Sequence, residues 1–137
     1  MSLTRSTAPP AADAAQHRVL IAEDHADSRE ALRALLEACG YRVSVAANGA
    51  EAVAQARGTL PHLILMDVMM PEVDGLAATL EIRADPSIPH MPIVAVTAVD
   101  DAAERMLQAG CDDFMVKPID IRSLIVRLPQ WLSLQTG

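Results

Sequence analysis

Four short apolar runs punctuate the chain: Val19-Leu20-Ile21-Ala22, Leu63-Ile64-Leu65-Met66, Ile93-Val94-Ala95-Val96 and Phe114-Met115-Val116. Each is continuous, which predicts a strand covered on both faces of a parallel sheet. Tyr41-Arg42-Val43-Ser44-Val45 alternates instead, which predicts an edge strand with one wetter face. Helical patterns fill the gaps. Asp27 with Glu30 reads as a capping box, and Leu32, Leu35, Leu36 and Cys39 follow at helical spacing until Gly40. Asn48 with Glu51 opens a second helix, with Ala52, Val53 and Ala56 inward and Gly58 near its end. A third spans about Gly75 to Arg83. Asp101 with Glu104 opens a fourth that closes at Gly110, and Asp120 opens a fifth carrying Ile121, Leu124, Ile125 and Leu128. Pro129 deletes a hydrogen bond and crowds the preceding turn, so the fifth helix is expected to stop or kink there, with Trp131 and Leu132 beyond.

Five strands alternating with five helices predict a doubly wound α/β domain, with a parallel sheet and helices on both faces. Residues 1–16 are rich in Ala, Pro, Ser and Thr and lack apolar periodicity, which reads as a flexible tail. Residues 17–134 then form the domain, and 135–137 its C-terminal end.

Composition narrows this picture. The 137 residues suffice for one domain with a real core. Only 2% are aromatic, so that core must be built from Ala, Val, Leu, Ile and Met. No apolar run approaches the ~20 residues of a membrane helix, and no secretory signal opens the chain. Cys39 and Cys111 lack metal or redox spacing and read as reduced, buried thiols of a cytoplasmic protein. A net charge of −7 without a basic stripe argues against direct nucleic-acid binding. His17, His25, His62 and His90 are scattered, and read as ordinary surface or loop residues.

Open parallel sheets bind ligands beyond the carboxyl ends of their strands. Strand 1 ends in Glu23-Asp24, strand 3 in Asp67, strand 4 in Thr97 and strand 5 in Lys117. Three carboxylates, a hydroxyl and an amine are therefore expected on one rim. Two carboxylates ~4 Å apart repel by roughly 4 kcal/mol at an effective dielectric of 20. Lys117 offsets part of this, and a hard divalent cation, Mg2+ or Mn2+, would offset more. Asp67 is a candidate carboxylate nucleophile for phosphoryl transfer, with the metal, Lys117 and Thr97 each taking one equatorial oxygen.

Glu23-Asp24, Asp67-Val68-Met69-Met70-Pro71 running to Asp74-Gly75, Thr97-Ala98, and Asp112-Asp113 before Lys117-Pro118 resemble the receiver domain of two-component response regulators. The likeness spans about residues 17–132 and implies a flavodoxin-like sheet of strand order 2-1-3-4-5. It also implies that Asp67 is the phosphoacceptor. Asp24 and Asp67 would bind the metal through their side chains, Met69 through its backbone carbonyl and Glu23 through a water. Thr97 and Lys117 would contact the phosphoryl group, and Lys117–Pro118 would be cis. The donor would be a phosphohistidine on a histidine kinase or phosphotransfer protein. The face of helix 4, strand 5 and helix 5, with Met106, Leu107, Arg122 and Trp131, would serve an output partner or a homodimer.

Two residues depart from the pattern. Phe114 stands where tyrosine is common, so it can pack inward as a switch with Thr97 but offers no hydroxyl. Met69, two residues after the acceptor, cannot orient water, which predicts an aspartyl phosphate that is not especially short-lived. Met69 also argues against a haloacid-dehalogenase-type phosphatase, which needs an acid–base aspartate there. A receiver-fold binding module independent of phosphorylation is the other alternative, although acceptor, acidic partners and lysine are all present. The expected role is a signalling domain that catalyses only its own phosphorylation and slow dephosphorylation.

Overall fold

The computed structural model describes residues 17–70, 74–98 and 100–134, without the side chains of 100–103. The expected tail at 1–16, the end at 135–137, Pro71 and the Asp101 cap lie outside the described residues. Strands β1 (Arg18–Ala22), β2 (Arg42–Ala46), β3 (Leu63–Asp67), β4 (Ile93–Thr97) and β5 (Asp113–Val116) alternate with five helices. These are α1 (Ala26–Ala38), α2 (Gly49–Thr59), α3 (Gly75–Ala84), α4 (Asp100–Ala109) and α5 (Ile121–Ser133). All strand pairs are parallel, in the order β2-β1-β3-β4-β5. That is the doubly wound arrangement expected from the alternation.

The pleat sends alternate residues to opposite faces, and the core divides accordingly. Val19, Ile21, Leu63, Leu65, Val94 and Val96 pack with α1 and α5. Leu20, Ala22, Ile64, Met66, Ile93 and Ala95 pack with α2, α3 and α4. β1, β3 and β4 are buried almost throughout, as continuous apolar runs require. β5 is the second edge, and Val116 is exposed there, so its expected burial on both faces fails. An edge strand needs only one covered face, and apolar composition cannot tell the two cases apart.

The helix ends reveal which local signals act. The Asn48 side chain caps α2 by accepting Glu51 N–H at 2.8 Å, and Glu51 Oε1 reaches back past the cap to accept Ala47 N–H at 2.8 Å, a shifted variant of the capping box. Asp74 and Asp120 cap α3 and α5 by accepting the Ala77 and Arg122 N–H groups. At α1 the expected cap is wrong. The helix starts at Ala26, His25 is the N-cap without a side-chain cap bond, and Asp27 lies in the first turn. The Glu23 carboxylate takes the His25 N–H instead, at 3.0 Å, and this pulls the start forward. α2 runs through Gly58 and ends on Leu60, whose backbone is left-handed (φ 48°). The Arg18 guanidinium donates to the Thr59 and Leu60 carbonyls there, stabilising an end that glycine would otherwise favour.

α5 does not stop at Pro129 but continues to Ser133. Pro129 is exposed, and so is Ile125, whose carbonyl loses its usual partner and can turn to water. Met106 and Trp131, expected as partner-facing residues, are core at 0% and 3% exposure, whereas Leu107 and Arg122 do face outward. Trp131 donates its indole N–H to Asp113 Oδ2 at 2.9 Å and stacks under Arg127. Cys111 is buried and Cys39 half-buried, and both are free. Among the described residues no helix is long and apolar enough to cross a membrane.

Candidate functional site

The strand ends converge as the sheet topology demands. Ala22 pairs with Met66, so the next residues, Glu23 and Asp67, leave adjacent strands side by side. Asp67 pairs with Val96, one residue before Thr97, and Thr97 pairs with Val116, one residue before Lys117. β5 is two strands from β3, roughly 10 Å at ~4.8 Å per strand. Only a side chain of lysine's length bridges that gap. Lys117 Nζ lies 3.2 Å from Glu23 Oε1 and 3.2 Å from Asp67 Oδ2. Its backbone is anchored by an N–H bond to the Thr97 carbonyl at 2.8 Å, and the Lys117–Pro118 peptide is cis.

Glu23 and Asp67 are each 3% exposed, so their charges meet little bulk water. Burial and the neighbouring Glu23 charge together push Asp67 up to about 6, against the lowering pull of Lys117 and the Met69 N–H. For Glu23, burial pushes upward as well, but the His25 amide and Lys117 outweigh it and hold the carboxyl below its ordinary range. The Lys117 ammonium loses hydration on burial, yet the two carboxylates outweigh that loss and raise its pKa. One cation thus serves two buried carboxylates, and with the His25 amide it compensates Glu23 but not Asp67. Asp24 adds a third. Its Oδ1 is buried and accepts no hydrogen bond.

Thr97 is 1% exposed at the end of β4. Phe114, paired with Ala95 two residues earlier, is half-buried against the core on the α2–α3–α4 side. Met69 donates its backbone N–H to Asp67 Oδ1 at 3.2 Å and leaves its side chain 70% exposed. Glu23, Asp67 and Lys117 are therefore in direct contact, and Thr97, Phe114 and Met69 are held around them by register and main chain.

Two contributors were not singled out from the sequence. A Cβ at Gly75 would lie 2.2 Å from the Asp67 carbonyl oxygen and 2.9 Å from Val68 Cα. The start of α3 thus rests on the backbone that carries Asp67, and Gly75 N–H bonds Val68 O at 3.0 Å. Alanine there must displace the strand that carries Asp67. The second is His25, read as an ordinary loop residue. Its Nδ1 lies 3.2 Å from Glu23 Oε2 and 3.3 Å from Asp24 Oδ1. Its place directly after Glu23-Asp24 was the available signal.

Beside the rim an apolar groove of about 550 Å³ runs between Ala31, Leu32 and Leu35 of α1 and Pro118, Ile119 and Ile121. Glu23 and Lys117 form its polar end.

Residues 19–129 match the family model described as the response regulator receiver domain. The chain is 39% identical over 117 residues to the polar-differentiation response regulator DivK of Brucella anthropi, covering 84% of this chain and 95% of DivK. It is 40% identical over 113 residues to the response regulator PleD of Caulobacter vibrioides, covering 81% of this chain. The match spans only 25% of PleD's length. Among solved structures, it is similar to the receiver domain of the sensor histidine kinase PA1611 from Pseudomonas aeruginosa, which has a magnesium ion coordinated in its active-site cleft. That likeness has a TM-score of 0.79 at 36% identity, over 85% of this chain and 98% of that one. It is also similar to a co-crystal of the Saccharomyces cerevisiae histidine phosphotransfer protein Ypd1 with the receiver domain of Ssk1. There the TM-score is 0.79 at 28% identity, over 88% and 92% of the two chains. With five parallel strands in the same order and a family match across nearly all described residues, the chain belongs to the response regulator receiver domain family.

Proposed function

We propose that this receiver takes a phosphoryl group onto Asp67 from a phosphohistidine partner, in a reaction dependent on Mg2+, or on Mn2+ in its place. The observation that carries this reading is the surplus of carboxylate over cation at a buried rim. Lys117 alone bridges Glu23 and Asp67, and Asp24 Oδ1 is buried without a hydrogen bond. That donor set fits a hard divalent ion, held by Asp24, Asp67 and the Met69 carbonyl, with Glu23 reaching it through water. Such an ion supplies neutralisation of phosphoryl charge. The magnesium in the PA1611 receiver cleft supports the same assignment.

A carboxylate oxygen of Asp67 forms the new bond to phosphorus as the phosphorus–nitrogen bond to the donor imidazole breaks, and the electron pair leaves with that imidazole. Lys117, already against Asp67 Oδ2, passes to a phosphoryl oxygen. The Thr97 hydroxyl closes on another oxygen, and Phe114 packs into the space Thr97 vacates, which would carry the switch. Met69 offers no group to orient water, so the phosphate persists, and Met69→Asn should shorten its lifetime. An unchanged and rapid loss in both proteins would remove that idea.

The apolar groove along α1 lies next to Asp67's rim and suits a helix of the donor, a reading supported by the Ypd1–Ssk1 receiver co-crystal. The exposed residues of the α4–β5–α5 face, Leu107, Val116 and Arg122, are left for an output partner or a homodimer. Such a domain works in the cytoplasm, where its donors are, and catalyses only its own phosphorylation and slow dephosphorylation.

Incubation with a small-molecule phosphodonor and magnesium, followed by intact mass, tests the reading. One added phosphate is expected, absent in Asp67→Asn and absent without metal. No adduct on the unaltered protein, or the same adduct on Asp67→Asn, would overturn it.

A further inference from the structure

β1 ends in three consecutive residues that can each ligate a metal: Glu23, Asp24 and His25. Successive side chains normally diverge, but here the chain curls back on itself. Glu23 Oε2 accepts the His25 backbone N–H at 3.0 Å, and this turn brings His25 Nδ1 to 3.2 Å from the same oxygen. It also sets Nδ1 3.3 Å from Asp24 Oδ1, without hydrogen-bond geometry. One ligand atom from each of the three residues lies within 4.8 Å of the other two.

These separations have a metal-site meaning. Bonds of ~2.1 Å at right angles put neighbouring ligand atoms about 3 Å apart. His25 Nδ1 and the buried Asp24 Oδ1, which has no hydrogen bond, lie 3.3 Å apart, and in the tautomer that leaves Nδ1 unprotonated the two can share a cation. The imidazole is 74% exposed, and its contacts are with the Glu23 and Asp24 carboxylates. The local turn aims it at the carboxylates.

We propose that His25 supplies an imidazole nitrogen to the divalent-ion site beside Asp67, shifting its preference from Mg2+ toward Mn2+ and the later first-row ions. This rests on reading the rim as a metal site. Magnesium is a hard ion that favours oxygen ligands, whereas first-row transition ions accept imidazole readily. A nitrogen ligand therefore raises affinity for the second class and does little for the first. Asp24 and Glu23 keep the site charged enough for magnesium to compete, and His25 sets the ratio.

Electron spin-echo spectroscopy of the full chain with Mn2+ alone reads the proposal directly, with titration calorimetry of Mn2+ and Mg2+ alongside. Bound Mn2+ should show nitrogen-14 modulation that vanishes in His25→Asn. That variant should bind Mn2+ about tenfold more weakly and leave Mg2+ affinity within twofold. Asp24→Asn should lose both ions. Mn2+ bound in the unaltered protein without nitrogen modulation, or with modulation that survives His25→Asn, would overturn the role of His25 and leave the metal reading standing. No binding of either ion to the unaltered protein would overturn both.

Discussion

The two rims of the sheet treat charge in opposite ways. At the amino ends of β1, β4 and β5 the neighbouring arginines, Arg18 and Arg83, are matched to acceptors. Arg83 donates to the Gly110 carbonyl at 2.9 Å, the Met91 carbonyl at 2.7 Å and Asp112 Oδ2 at 2.9 Å, tying α3 to the starts of β4 and β5. Asp112 also accepts the Ile93 N–H, and Arg57 pairs with Asp85 between α2 and α3. At the carboxyl ends Glu23 and Asp67 share one lysine, and the neighbouring Asp24 Oδ1 has no hydrogen bond. One rim is wired for stability. The other holds uncompensated charge, as the proposed metal and phosphoryl site requires.

Mutations on the two rims should therefore differ in sign as well as size. Arg83→Met should cost the most, about 3 kcal/mol in denaturant unfolding, because a largely buried guanidinium leaves two carbonyls and a carboxylate short of donors. Lys117→Met should cost about 2 kcal/mol at neutral pH, discounted for the lysine's partial exposure, since Glu23 and Asp67 would then face each other uncompensated. That loss should shrink in acid as Asp67 takes up a proton.

Asp67→Asn should do the reverse and stabilise the protein. The Asp67 pKa rises from an ordinary 3.8 to about 6 on folding, so the folded state holds a proton that the unfolded chain has released. Ionised Asp67 consequently costs stability, a cost absent below pH 3.8 and fully present above about 6. The asparagine variant should gain about 1–2 kcal/mol at pH above 7, fading toward pH 4. A loss at neutral pH, or a gain that grows in acid, would break the contrast between the rims. The smallest effect is ionic: magnesium at ten times its dissociation constant should add about 1.4 kcal/mol, and Asp24→Asn should abolish that gain.

Much of this was legible from the chain. Continuous runs against one alternating run separated buried strands from the β2 edge, and Asn48 and Asp120 marked helix starts through their own side chains. The rim residues were legible because strand ends in a parallel sheet share one side. The failures have a common cause. His25 displaced Asp27 at the start of α1 because Glu23, held by Lys117, reached forward to its amide. Met106 and Trp131 were mistaken for surface because helical spacing states that a face is apolar without saying what covers it. Pro129 sits on the exposed side of α5, next to the exposed Ile125 whose carbonyl it leaves without its helical partner.

By itself the sequence determined the order of elements, the parallel sheet and the set of groups at its carboxyl rim, since those follow from local periodicity and chain connectivity. Tertiary structure alone decided that one lysine spans two strands to touch Glu23 and Asp67, that Gly75 underlies the acceptor and that His25 turns toward Asp24. These depend on register and on close approach between elements distant along the chain. Asp67's raised pKa is decided there too, because it arises from burial and from a neighbouring charge delivered by another strand.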